Sequence, residues 1–454
     1  IPKLMNNLLT QGISMTNNYQ STYTPNTPAI KEEMLKDIGV KSYKELFVDV
    51  PEKFRFPELD LPPPTSELDL KNELSKLANK NSIPGEYSSF LGAGAYRHFI
   101  PSVVKQLTSR SEFMTSYTPY QPEVSQGTLQ AHFEFQSMVC ELTGMEAANS
   151  GMYDGATSAA EAVLMACRIN KKFKVNIVDG VSPFYIDVIK TLTQASGIEI
   201  ITEDLNTALN KSEESTACYV IQQPNFSGEI EDINKLNELS KKNDALLIVI
   251  SEPMFLSMYK TPNNFGADIV VGEGQPFGVS LTYGGPYAGL FACKKKYLRQ
   301  LPGRIVGETV DSENEKGYVL TLQTREQHIK RDRATSNICT SVGLIALMST
   351  VYMALQGKVG LKYLSELCYH KAHYAANKIS ALDGYEILNN NFFKEFTLKC
   401  STDIKKINSY LHKNKVIGGY DTSNEEDNTM LLSFTEMNSK EEIDKLVTLL
   451  SEIN

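Results

Sequence analysis

Several things are missing from this sequence, and each absence excludes a class of protein. The seven cysteines, at 140, 167, 218, 293, 339, 368 and 400, form no C-x-x-C pair. An odd number without paired spacing is neither a disulfide framework nor a zinc-ligand pattern, and a reducing compartment is the simplest reading, which we take as cytoplasmic. Six scattered histidines give no H-E-x-x-H or other paired ligands, so no metal site is expected. No uninterrupted apolar run reaches the roughly 20 residues of a membrane helix, so no membrane span is expected. The first arginine is Arg55, whereas a transit peptide would be Arg-rich. Residues 1–14 precede Met15 and read as an extension outside the fold. Positive charge is in deficit, with 45 Lys+Arg against 54 Asp+Glu and a net charge of -9. A chain this acidic repels phosphate backbones, which argues against nucleic acid as a partner.

What is present is ordinary for a globular protein: 454 residues, 41% hydrophobic and 22% charged, enough for about two to three domains. Thr27-Pro28 opens a helix with Ile30, Met34 and Ile38 on one face and Gly39 as its stop. Prolines 57, 62, 63 and 64 read as an extended arm, and Ser66 with Asp69 caps a second helix bearing Leu70, Leu74, Leu77 and Ala78. Residues 1–80 are therefore an N-terminal arm. A Gly- and Tyr-rich stretch over 90–123 precedes a helix that starts near Gly127 and ends at Gly144. From about 151 short apolar runs (175–178, 198–201, 218–221, 245–250, 268–271, 287–293) alternate with helices. That alternation means a mostly parallel sheet covered on both faces, in a large α/β domain over 81–340. Residues 341–454 follow as a smaller α+β domain. The spacing places long helices near 338–356 and 358–381, strands at 385–388, 396–398 and 430–434, and helices near 402–413 and 439–452.

Four constellations carry chemistry, each beside a plainer reading. Gly155, Ala156 and Thr157 follow Asp154 at a helix start, which suits either a phosphate cradle or an ordinary capped helix. Glu252 sits just past a buried strand. There a carboxylate could pair with a pyridinium nitrogen or be a turn acid facing water. The strand 268–271 and its Gly-rich turn form a place where many pyridoxal enzymes carry their Schiff-base lysine, yet no lysine occurs from Gly272 to Ala292. Arg331, Arg333, Thr335, Ser336, Asn337 and Thr340 lead into an apolar helix. They could form an anion-binding end, although composition favours a plain N-cap with flanking ion pairs.

Taken together, FLGAGAYRHFIP, SYTPYQPEVSQGTLQ, GMYDGATSAAEA, ADIVVGEGQPFG, YGGPYAGLFA, LPGRIVGETVD and QTREQHIKRDRATSNICT closely resemble the P-protein family of the glycine cleavage system. Within it they are most similar to the N-terminal half, a separate subunit in the two-chain form. The resemblance runs from about Tyr23 to the C-terminus. It implies a fold-type I pyridoxal-phosphate transferase fold: a mostly parallel seven-stranded sheet, a smaller C-terminal α+β domain and an N-terminal arm. It implies two homologous halves of which only the second carries the lysine, whose place here falls near Gln275 and Pro276. This chain would then hold no catalytic lysine, and the partner subunit, with two of each chain assembled, would hold pyridoxal 5'-phosphate covalently. The complex would decarboxylate glycine and pass the aminomethyl group to the lipoyl arm of the H-protein. On this resemblance Tyr96, His98, Tyr117, Tyr120 and Glu123 are expected at the shared active site. Thr335, Ser336, Asn337 and Thr340 are expected as phosphate contacts, and Gly155, Ala156, Thr157 and Glu252 as remnants of a cofactor loop. Departures are Glu252, where the family usually has Asp, and Ser341-Val342, where it tends to an Ala/Asn-Gln pair. Two other readings stay open: a self-sufficient pyridoxal enzyme using a distant lysine, and a purely structural subunit.

Overall fold

The computed structural model describes residues 25–62, 65–210 and 215–453. Residues 1–14 and the prolines at 63 and 64 lie outside them. The chain divides at Asn81/Ser82 into two compact units.

In the first unit, helix α1 (Pro28–Ile38) is capped by the Thr27 hydroxyl, which accepts from the Ile30 N–H, and ends on Gly39 at φ 84°. Helix α2 (Glu67–Ala78) is capped by Ser66, which accepts from the Asp69 N–H. No residue of either helix is buried.

The second unit is built on a seven-stranded sheet. Its strands are β1 (Ala147–Ala148), β2 (Lys174–Val178), β3 (Glu199–Glu203), β4 (Thr216–Gln223), β5 (Leu246–Ser251), β6 (Ile269–Glu273) and β7 (Gly289–Cys293), in the order β1-β7-β6-β5-β4-β2-β3. The contiguous strands β3, β2, β4, β5 and β6 run parallel, while β7 is antiparallel to both β6 and β1. Alternation along each strand splits the apolar run between two cores. Tyr219, Ile221, Leu247 and Val249 face α3 (Gln126–Thr143) and α6 (Ile233–Lys242). Val220, Leu246, Ile248 and Ile250 face α4 (Gly155–Asn170) and α5 (Pro183–Thr193). This two-sided burial is why the runs are continuously hydrophobic.

After β7 the chain forms an antiparallel hairpin, β8 (Ile305–Val310) with β9 (Lys316–Thr321), that the sequence reading missed. Its residues are mostly half-exposed or exposed, so no apolar run marks it. Helix α7 (Gly343–Ile379) meets the length and composition of a membrane span. It is, however, broken at Gly357 (φ 57°, ψ -178°), and it lines two cores: Ala346, Tyr352, Met353, Leu361 and Cys368 in the first, Ala372, Ala375 and Ile379 in a third. The break falls where two helices were expected. The start does not: residues 338–342 lie outside any helix or strand, and the helix begins at Gly343 rather than near 338. Burial of Ile338 in the second core, with its N–H donated to the Ser336 hydroxyl, holds that stretch out of the helix. The third core lies under an antiparallel sheet, β10 (Tyr385–Ile387), β11 (Glu395–Cys400), β13 (Thr429–Ser433) and β12 (Tyr420–Asp421) in that order, with α8 (Ile404–Lys413) and α9 (Lys440–Ser451).

Candidate active site and its neighbouring face

The carboxyl ends of β4, β5 and β6 open onto a cleft lined by Tyr96, Tyr185, Gln222, Glu252, Glu273 and Glu395, among others. Strand ends of an open α/β sheet are the usual ligand position. Here the cleft is occupied by the chain's own side chains. Glu273 ends β6 and turns its carboxylate onto the start of α4. Oε2 accepts from the Gly155 N–H (2.9 Å), and Oε1 accepts from the Gln275 N–H (3.0 Å) and the Ala288 N–H (3.3 Å). Burial pushes this carboxyl up to about 7 against the pull of those three donors. Gly155 has to be glycine, because a Cβ would meet the Tyr185 hydroxyl. Two residues on, the Gln275 amide is almost fully buried and clasps the backbone of Tyr96: Nε2 donates to Tyr96 O (2.8 Å), and Oε1 accepts from Tyr96 N–H (2.9 Å).

A second cluster adjoins the first. Lys394, at 1% exposure, donates to Glu252 Oε1 (2.8 Å) and lies 3.5 Å from the Tyr96 ring centroid. It also stands 3.3 Å from His98 Nε2. An ammonium only donates, so Nε2 accepts and the proton on Nδ1 faces Glu436 Oε2 at 2.7 Å. Burial would raise Glu436, but its contacts with His98 and the Phe99 N–H outweigh that and hold it at about 2. The Tyr96 hydroxyl donates to Glu395 Oε2 (2.6 Å), and burial pushes both groups up. His98, Cys368 and Glu436 have ligand atoms within 4.8 Å of one another. The far nitrogen of His98 meets an ammonium, however, the reverse of the carboxylate or carbonyl that supports a metal-bound imidazole.

These positions correct several expectations. Tyr96 and His98, expected beside Tyr117 and Tyr120, are each 7% exposed and bonded within this chain. Glu252 is neither a turn acid in water nor free for a ring nitrogen: it caps Pro253–Leu256 through the Phe255 N–H and pairs with Lys394. The start of α4 is as expected in place: Asp154 accepts from the Thr157 N–H, and Gly155 and Ala156 open the helix. Lys394, Glu395 and Glu436 went unread because they come to the cleft and its adjoining cluster from the C-terminal domain, and no local motif announces that.

A second region stays open. Tyr117 is 81% exposed and Tyr120 48%, with Glu123 beside them at the surface. The Tyr120 ring packs against His328 at 5.7 Å between centroids, and its hydroxyl accepts from Arg304. The same guanidinium reaches the carbonyl of Cys339, an exposed residue whose N–H donates to the Tyr153 hydroxyl. Residues 335–340 are thus an irregular segment on this face and not the head of a helix. Within it, Thr335 N–H donates to Arg325 O, Asn337 accepts from Gln327, and Ser336 turns inward to hydrogen-bond Glu161; Thr340 is half-exposed.

The family model for the glycine cleavage system P-protein matches residues 21–450. The chain belongs to the glycine cleavage system P-protein family. It is 48% identical over 443 residues, covering 95% of this chain and 99% of the relative, to a probable glycine dehydrogenase (decarboxylating) subunit 1 of Listeria innocua serovar 6a. It is 45% identical over 443 residues, with the same coverage, to the protein of that name from Anoxybacillus flavithermus. The inhibitor-bound crystal structure of glycine decarboxylase, the P-protein of the glycine cleavage system, superposes with a TM-score of 0.90 at 39% identity over 96% of this chain and 100% of that one. Lactobacillus brevis glutamate decarboxylase, at 10% identity and a TM-score of 0.66 over 90% of this chain and 96% of that one, shares the fold. The seven-stranded α/β architecture is the fold-type I arrangement expected for the P-protein family.

Pyridoxal 5'-phosphate does not fit the strand-end cleft of this P-protein chain. The Gln275 amide is spent on the backbone of Tyr96, Glu273 covers the Gly155 N–H at the start of α4, and Glu252 is committed to Lys394. Three carboxylates and no cation are among the lining residues, so a phosphate would find no counter-charge there.

Proposed function

We propose that this chain is the lysine-lacking subunit of a two-chain glycine dehydrogenase (decarboxylating), working in the cytoplasm as two copies of each chain. Its homologous partner, subunit 2, holds pyridoxal 5'-phosphate on a lysine of its own. Together the two decarboxylate glycine and pass the aminomethyl group to the lipoylated H-protein. The observation that supports this reading is the lack of any lysine from Gly272 to Ala292, where the Gln275 amide is spent on the backbone of Tyr96 next to Glu273 on the start of α4.

This chain's share is to complete the partner's site. Tyr117, Tyr120 and Glu123 offer phenols and a carboxylate from a rigidly braced loop, the sort of element that carries function on a scaffold. Thr335, Asn337 and Thr340 offer donors to a phosphate held opposite; Ser336 joins them by releasing Glu161.

Borohydride reduction of the assembled complex with pyridoxal phosphate, followed by peptide mapping, tests the assignment. Label should appear on the partner alone. Stoichiometric label on Lys394, the lysine nearest the cleft, would instead establish a self-sufficient enzyme.

A further inference from the structure

Arg304 stands just before β8 and is 3% exposed. Nη1 donates to Thr118 Oγ1 (3.1 Å), and Nη2 donates to Tyr120 Oη (3.2 Å) and to Cys339 O (3.0 Å). The guanidinium carbon lies 5.3 Å from the Tyr120 ring centroid, and Nε faces Glu326 Oε2 at 3.7 Å. The Arg304 carbonyl accepts from the N–H and the hydroxyl of Ser150, just before the turn that carries Tyr153. Arg325 in turn donates to the carbonyls of Leu301 and Gly303, which fixes the bend that presents Arg304.

The buried guanidinium thus ties the tyrosine loop to the stretch at Cys339, while the backbone carbonyl of the same residue holds the turn at Ser150. All three acceptors of its side-chain donors lie on loops, so the arginine organises the exposed face rather than the sheet. We infer that Arg304 is a positioning residue for glycine turnover by the two-chain enzyme. It sets Tyr120 and residues 339–340 at a fixed separation, so that the partner meets them as one preformed surface. The inference rests on the proposed reading, in which this face completes the partner's site. Lysine cannot replace the arginine, since a point charge does not serve three acceptors in the plane of a fork.

The test uses the assembled two-chain complex with lipoylated H-protein. Arg304→Lys should lower kcat by about tenfold or more, with the glycine KM changed by less than about twofold and the partner still bound, because misplacing a reacting group by about 1 Å is enough for such a loss. Tyr120→Phe should lower kcat in the wild-type background and add little in the Arg304→Lys background. Independent, additive losses would mean a merely structural arginine and would overturn the inference. Should Arg304→Lys not fold, Thr118→Val/Tyr120→Phe removes two acceptors with Arg304 in place. That variant is expected to show the same kcat loss, and wild-type kcat there would also overturn the inference. Tyr117→Ala separates the two levels. If it lowers turnover while Arg304→Lys does not, the positioning role fails and the face stands. If Tyr117→Ala assembles and turns over as wild type, the reading of the face fails and takes this inference with it.

Discussion

The cleft at the strand ends and the tyrosine face beside it are built from the same kinds of residue, yet they have opposite characters. In the cleft and the cluster adjoining it, Tyr96, His98, Glu252, Glu273, Glu395 and Glu436 find partners within the chain, and Lys394 pairs with Glu252. At the face, the same residue types are held from below by Arg304 and left open above, with Tyr117 81% exposed. A buried polar network is stable only when every member is satisfied, and a satisfied network has nothing left for a ligand. The comparison separates what the chain keeps for its own folding from what it offers to a second chain.

The largest effect expected from this division is all-or-none. Mixed with H-protein and glycine, neither subunit alone should release carbon dioxide, and the pair should. Exchange of the glycine carboxyl with bicarbonate by this chain alone would remove the distinction between closed cleft and open face. Next in size is Lys394→Met. It strands Glu252, whose side chain is 12% exposed, and breaking a buried pair in this way costs about 3–5 kcal/mol. Denaturant unfolding of the isolated chain should show that loss, and Lys394→Met/Glu252→Gln should recover most of it. Tyr117→Ala, on the open face, should change stability by less than about 0.5 kcal/mol.

The same division explains what was legible in the sequence. The sheet was readable because each strand is buried on both sides and written as a continuous apolar run, as in Leu246–Ser251. The hairpin Ile305–Val310 with Lys316–Thr321 was not, because it lacks such a run. The missing lysine was visible as a gap between Gly272 and Ala292. What fills the gap was not: Glu273 reads as an ordinary strand-end acid until the Gly155 N–H is seen to meet it. Lys394 lies 142 residues from Glu252, and only the fold joins them. Tyr96 and His98 share a motif with no signal that tells them apart from Tyr117 and Tyr120; burial alone does so.

A smaller effect concerns assembly. The arm's helices bury none of their residues, and Met34, Ile38, Leu74 and Leu77 are 48%, 56%, 54% and 51% exposed. Apolar stripes of this kind gain about 2 kcal/mol for each side chain they bury. A chain lacking residues 1–81 should therefore bind its partner at least about tenfold more weakly while its cleft network stays intact. Equal affinity with and without the arm would confine the open surface to the tyrosine face. Analytical ultracentrifugation of the two mixtures decides between them.

The smallest expected effect sharpens the comparison from the cleft side. Glu273 is raised to about 7 in the folded chain, against about 4.3 for an unperturbed glutamate. Between those values the folded state holds a proton that the unfolded state has lost. The stability this group contributes is therefore fully present below about 4.3 and is lost as pH rises through 7, with a slope of at most about 1.4 kcal/mol per pH unit. His132 acts in the opposite sense over part of the same range. Burial lowers it to about 4, so its contribution is present above about 6.5 and is lost as pH falls through 4. The raw stability profile mixes the two, but the difference between wild type and Glu273→Gln isolates the glutamate. That difference should fall steadily from pH 5 to pH 7.5 in urea midpoints measured at constant ionic strength. A flat difference would mean that the three N–H donors keep Glu273 ionised throughout, as a permanent anion on the start of α4. The slope therefore distinguishes a neutral plug from a charged one in the closed cleft, and the tyrosine face should not register the change at all.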